Sequence, residues 1–223
     1  MSTVFFELCY GKNKMGIPVL IIGESGSGKT ASIINFDIDE VGVFCVSWKP
    51  LPFKKKFKVF NTDNYRTIED ILKKSSQNGK KCFVIDDSQY LMVFEEFRKI
   101  SQPGYSKFTE LALNMFHLIQ CIVKETPPDC IVYLLHHSET TELGKRKAKT
   151  IGRMLDTHLT FEGLFSIVLF SVVDEGKYKF LTQSDGTIIA KSPMEMFPLE
   201  IDNDLKFVDT KIREYYGFIG KSE

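Results

Sequence analysis

Short apolar runs separated by amphipathic stretches fill the first 140 residues. Residues 18–23 (PVLIIG), 41–46 (VGVFCV), 82–85 (CFVI) and 131–135 (IVYLL) are brief, rich in β-branched or aromatic side chains, and almost unbroken in apolar character. Unbroken rather than alternating character predicts strands buried on both faces, as in a parallel sheet. Between them, residues 67–77 predict a helix opened by a Thr67/Asp70 capping pattern and closed before Gly79. Residues 108–125 repeat Leu111, Met115, Leu118, Ile119 and Ile122 on one helical face. Strands alternating with helices imply right-handed crossovers and an α/β doubly wound architecture, a mostly parallel central sheet flanked by helices. Beyond about residue 160 the pattern changes. Residues 166–173 and 177–183 flank Asp174-Glu175-Gly176, a tight-turn sequence, so antiparallel strands are expected at the C-terminal side. A closing helix over 210–216 is predicted, with Asp209 as its cap and Gly217 beyond it.

With 223 residues the chain can build one substantial core, and no repeat or Gly/Ser-rich linker divides it, so a single domain spanning 1–223 is expected. Lys plus Arg and Asp plus Glu are equal at 29 each, which removes any bulk field toward polyanions and leaves such contacts to local patches. The start lacks the pattern of a secretory signal and no apolar run reaches membrane-spanning length, which predicts a cytoplasmic protein without membrane contact. The five cysteines, Cys9, Cys45, Cys82, Cys121 and Cys130, show no CxxC spacing; buried reduced thiols are expected.

The chemistry concentrates in GESGSGKT, which is Gly23, Glu24, Ser25, Gly26, Ser27, Gly28, Lys29 and Thr30. It follows an apolar strand and precedes the helix-compatible ASIINF, the context that the G-x-x-x-x-G-K-[ST] pattern requires. Its glycines let successive backbone N–H groups turn inward toward phosphates, with a helix N-terminus behind them. Lys29 is expected to reach the β- and γ-phosphates of ATP, and Thr30 to offer its hydroxyl to Mg²⁺. The partner motif is an acidic strand end, CFVIDD. Asp86 is expected to hold Mg²⁺, and Asp87 to polarise an attacking water. A third strand end, IVYLLHHSE, offers His136 and His137, of which His137 is the preferred sensor of the γ-phosphate.

GESGSGKT, FVIDD, YLLHHSE and the polar loop into GRMLDTHLTFEGLF together resemble the RecA-like P-loop ATPases. The likeness is narrowest to short phage-encoded ATP-binding proteins of AAA type grouped with single-strand annealing recombinases. It implies a Mg²⁺-dependent ATPase in phage-type recombination, annealing or replication in the bacterial host, assembled as a ring or filament of identical subunits beside other phage recombination or replication proteins. It also implies that the loop after the third strand contacts single-stranded DNA, which here is a segment with Lys145, Arg146, Lys147, Lys149 and Arg153, expected to be mobile without ligand. Lys54, Lys55, Lys56 and Lys58, interleaved with Phe53, Phe57 and Phe60, form a second basic stretch. A neighbouring subunit's cation at the γ-phosphate would come from Lys177 and Lys179, with Arg146 and Arg153 as competitors. One departure stands out: RecA-like enzymes carry a glutamate where residues 44–50 read FCVSWKP, without a carboxylate. Either Asp87 takes that role, or nucleotide serves mainly as a conformational ligand. The alternatives are a nucleotide-gated or AAA-type remodelling module and, with less support from the lysine-rich 139–153 segment, a small-molecule kinase.

Overall fold

Nine strands form one sheet among the described residues of the computed structural model, which are 15–152, 155 and 159–219. In chain order they are β1 (Ile17–Gly23), β2 (Val41–Cys45), β3 (Val59–Asn61), β4 (Cys82–Asp86), β5 (Ile131–Thr140), β6 (Arg146–Ala148), β7 (Ile167–Asp174), β8 (Lys177–Leu181) and β9 (Glu200–Asp202). The sheet order is β3-β2-β4-β5-β1-β7-β8-β9, with β6 paired to the outer end of β5. Every pairing from β3 through β7 is parallel, and β6, β8 and β9 add antiparallel. The fold is therefore α/β, with a mostly parallel mixed central sheet.

Its helices are α1 (Tyr65–Lys73), α2 (Ser75–Asn78), α3 (Tyr90–Arg98), α4 (Ser106–Glu125) and α5 (Leu205–Tyr215). Side chains alternate across each strand, so one sequence feeds two cores. Leu20, Ile22, Phe44, Phe83 and Leu134 pack with Ile68 of α1 and Leu118 and Ile122 of α4. Val19, Ile21, Val43, Val84 and Tyr133 pack with Val208 and Ile212 of α5 on the opposite face. Burial on both faces is why these strands read as continuous apolar runs rather than alternating ones.

Several local expectations change. The helix predicted from Thr67 begins at Tyr65, because the Asn64 side chain accepts from Arg66 N at 2.9 Å and Thr67 N at 3.3 Å. It stops at Lys73, and the short α2 carries the chain to Gly79, whose φ is 68°. The last helix is capped by Asp204, not Asp209: Asp204 accepts from Lys206 N (2.9 Å) and Phe207 N (3.2 Å). Asp209 is instead buried within the helix. After GESGSGKT the chain forms only a five-residue 3-10 turn, Ala31–Asn35, so no α-helix follows the loop. The 174–177 hairpin is as predicted, with Glu175 (φ 48°) and Gly176 (φ 77°) both left-handed, the geometry a two-residue connection needs to match strand twist. Cys45, Cys82, Cys121 and Cys130 are buried and free, as expected; Cys9 lies outside the described residues. No described helix is long and apolar enough to cross a membrane.

Candidate functional site

Four parallel strands deliver their carboxyl ends to one place: β1 ends at Gly23, β4 at Asp86, β2 at Cys45, and β5 passes through His137, which is level with Gly23. Open parallel sheets bind ligands in the crevice beyond such ends. A cleft of about 380 Å³ opens there, lined by Ser25, Gly26, Gly28, Lys29, Thr30, Lys49, Pro50, Asp86, Asp87, His137 and Tyr178, among others. A groove of the same volume is lined by Lys179, Glu200, Asp202 and Phe207, and by none of residues 23–30.

Within the loop, Gly26 (φ 84°) and Gly28 (φ 92°) occupy the left-handed region that side chains disfavour. A Cβ on Gly28 would also stand 2.7 Å from the Tyr178 ring, so both backbone and packing require glycine there. Ser27 N–H closes the turn on Glu24 O at 3.2 Å. Among the described residues the N–H groups of Gly26, Gly28, Lys29 and Thr30 find no acceptor. The Ser27 hydroxyl is buried without a partner. Gly26 is exposed, whereas Gly28, Lys29 and Thr30 are buried or half-buried, where donors left unmade are costly, and an oxygen-rich anion is the ligand that would satisfy such a row of N–H groups. The short 3-10 turn behind the loop supplies no long helix dipole, so the loop itself and Lys29 carry the positive character.

Lys29 is buried, its ammonium donating to Gly23 O and Glu24 O, both at 2.8 Å. Burial pushes its pKa down to about 8, against the opposing pull of Asp87, Asp86 and Glu24. Its neighbour Thr30 donates its hydroxyl to Asp86 Oδ1 at 2.8 Å, which joins the ends of β1 and β4. Burial pushes the Asp86 carboxyl up to about 6, with Thr30 opposing and Asp87 adding like charge. A hydroxyl and a carboxylate side by side suit a hard ion that keeps most of its waters; the described residues hold no cluster of three or more His, Cys, Asp or Glu that would form an all-protein cage.

Asp87 is left-handed at φ 57° and points into the cleft with both oxygens engaged. Oδ1 accepts from His137 Nε2 at 3.1 Å and Oδ2 from Lys49 Nζ at 3.3 Å. Burial alone would raise its pKa, but hydrogen bonds from His137 and Ser47 and the Lys49 ammonium outweigh it and hold the carboxyl well below the usual range. A carboxylate only accepts, so His137 carries its proton on Nε2, and in the neutral ring Nδ1 is an acceptor. The two histidines are thereby distinguished. His137 lines the cleft with Tyr90 edge-on at 5.7 Å, while His136 is fully buried between Ser88 Oγ (2.9 Å) and Lys149 O (2.8 Å). Burial pushes His136 down to about 4.

The basic segments differ from expectation. Residues 138–148 form an antiparallel β-hairpin, with Thr140 opposite Arg146. Arg146 lies over the Phe170 ring at 4.9 Å, Lys147 pairs with Glu139 at 3.3 Å, and Lys145 and Lys149 are exposed. Arg153 lies outside the described residues. In the second stretch Phe57 is buried, Phe53 and Phe60 pack against the cores, and Lys55 caps the carbonyls of Ile34 and Phe36, leaving Lys54, Lys56 and Lys58 exposed. In the β7–β8 hairpin Lys177 is exposed and Lys179 is tied to Asp174 and Glu200, both at 3.2 Å. Residue 178, between them, packs on the glycine loop. Tyr178 and Lys49 are the cleft residues that sequence reasoning missed.

No protein-family model matches the chain, and no curated protein matches it.

Proposed function

We propose that the chain binds a nucleoside triphosphate with Mg²⁺ in this cleft and hydrolyses its terminal phosphate. The observation that carries the reading is the Thr30–Asp86 hydrogen bond beside buried Lys29, at the mouth of a loop in which the N–H groups of Gly26, Gly28, Lys29 and Thr30 find no acceptor among the described residues. Residues 23–30 would hold the phosphate chain and Thr30 with Asp86 the metal; bound Mg²⁺ neutralises charge on the phosphate oxygens. Asp87, strongly ionised and doubly engaged, is a weak base. Its part is to fix the His137 tautomer, leaving Nδ1 to take a proton from water at the cleft. A nucleoside triphosphate ligand fits a cytoplasmic setting.

The RecA-like, phage-type assignment, with single-stranded DNA and identical subunits as partners, rests on the resemblance of the motifs. Lys145, Lys149, Lys54 and Lys56 are the exposed cations it would use. A second reading, nucleotide as a conformational ligand for a partner-binding module, is favoured by one feature: no carboxylate in the cleft stands free of an internal partner.

Steady-state ATP hydrolysis, with and without Mg²⁺ and a single-stranded oligonucleotide, at low and raised salt, tests these readings. Mg²⁺-dependent turnover is expected, and stimulation that fades with salt supports a polynucleotide partner. Nucleotide binding without turnover selects the second reading. Absence of both binding and turnover overturns the assignment.

A further inference from the structure

Where the resemblance leads one to expect a glutamate, the cleft receives a cation. Beyond β2 the chain turns sharply: Val46 N–H donates to Asp86 O at 3.2 Å, Cys45 Sγ donates to Lys49 O at 3.3 Å, and Trp48 sits at φ 59°. A left-handed backbone is rare for a bulky residue and persists only where surrounding contacts over-determine it. Here it aims the next residue at the site. Pro50 then restricts Lys49 to extended backbone. The Lys49 ammonium ends 3.3 Å from Asp87 Oδ2 and 5.3 Å from the Tyr90 ring centre, and Lys49 lines the same cleft as Gly26, Gly28 and Lys29. Its side chain is 63% exposed, so a ligand entering the cleft reaches it without unpacking the fold.

The charges around it call for such a cation. An ionised Asp87 beside a site for a phosphate chain repels the ligand unless a cation stands between them. Lys29 also feels Asp87, but its ammonium is buried and held by the loop carbonyls of Gly23 and Glu24, whereas Lys49 is hydrogen-bonded to Asp87 itself. We propose that Lys49 is a phosphate-reading residue that distinguishes nucleoside triphosphate from diphosphate, held ready by Asp87 until the terminal phosphate arrives. The proposal rests on the nucleotide reading above. It assigns to this chain's own Lys49, in cis, the cationic contact that the resemblance would seek on a neighbouring subunit.

Calorimetric titration of the full chain with the Mg²⁺ complexes of the β,γ-imido analogues of ATP and GTP, and of ADP and GDP, separates the two ideas. Lys49→Ala is expected to weaken triphosphate binding roughly tenfold to a hundredfold, the range of a charge-assisted hydrogen bond, while diphosphate affinity holds. Lys49→Arg is expected to keep the preference, because it keeps the charge and reach. Equal triphosphate-to-diphosphate ratios in wild type and Lys49→Ala, with both ligands binding, overturn the role of Lys49 and leave the nucleotide site standing. A wild-type chain that binds none of the four removes the nucleotide site and the inference with it. Unchanged unfolding midpoints of both variants, expected for an exposed side chain, exclude misfolding as the cause.

Discussion

The two ends of the sheet each bury an acid beside a cation, and they differ in what is left over. At the amino ends, Asp209 accepts from Tyr133 Oη at 3.0 Å and from Arg213 Nε at 2.6 Å, and the remaining Arg213 donors reach Asp129 O (2.8 Å) and Lys81 O (2.9 Å). That network closes on itself and pins α5 to the starts of β4 and β5. At the carboxyl ends, among the described residues, Lys29 bonds only to carbonyls of its own loop, the N–H groups of Gly26, Gly28, Lys29 and Thr30 find no acceptor, and the Ser27 hydroxyl has no partner. Single buried atoms without a partner also occur away from the cleft, at Tyr65 Oη, Ser75 Oγ and Glu95 Oε2, so what singles out the carboxyl ends is the convergence of several open N–H groups with buried Lys29 on one cleft.

The largest expected effect breaks the closed end. Asp209→Ala leaves the Arg213 guanidinium, itself half-buried, without its carboxylate, and breaking such a pair costs about 3–5 kcal/mol. Urea unfolding should show that loss, while nucleotide affinity, measured where the variant is still folded, should not change. A loss below about 1 kcal/mol would mean that the network is not what anchors α5.

The next concerns His136, which belongs to the closed class although it adjoins His137 of the open one. Its pKa falls from an ordinary 6.5 to about 4 on folding. Between those values the unfolded chain binds more protons, so this group's stability contribution is complete above pH 6.5 and is lost as pH falls toward 4, by roughly 3 kcal/mol in total. Asp86, raised to about 6, acts in the opposite direction over part of that window. The His136 contribution is therefore isolated by comparison: His136→Gln should flatten the stability profile between pH 6.5 and 4 relative to wild type. Parallel profiles would place His136 outside the titration.

Much of this contrast was legible in the chain, but unevenly. GESGSGKT and CFVIDD are local signals, since one strand and the turn after it contain all the information, and both strand ends arrive where expected. Helix caps were misplaced because Asn64 and Asp204 compete with nearby Thr67 and Asp209, and only packing decides which polar residue faces outward. Choosing between His136 and His137 required the strand phase, which the alternation of side chains across β5 supplies: Leu135 and His137 lie on one side and His136 on the other. Lys49 and Tyr178 could not be located at all from local pattern. Both reach the cleft from turns whose direction depends on left-handed residues, Trp48 in one and Glu175 in the other.

The smallest effect has an unusual sign and tests the open end directly. Lys29 is a cation that the free fold holds at a cost, since burial pushes its pKa from 10.5 to about 8. In the folded chain burial outweighs the pull of Asp87, Asp86 and Glu24, and the charged form is disfavoured by a net penalty of roughly 3 kcal/mol at neutral pH. Lys29→Met removes that penalty and also forfeits the two hydrogen bonds to Gly23 O and Glu24 O, at roughly 1 kcal/mol each. The two contributions nearly offset, so the variant should be at least as stable as wild type at pH 7. Between pH 8 and 10.5 the unfolded wild type binds more protons than the folded one, so wild-type stability rises with pH there and any advantage of the variant disappears. Nucleotide binding should fall roughly tenfold to a hundredfold in the same variant, because the buried ammonium is the charge that a phosphate chain compensates. Chemical unfolding at pH 7 and pH 10 with a nucleotide titration at pH 7 reads all three quantities, and a variant that lost stability together with binding would move Lys29 from the open class to the closed one, beside Arg213.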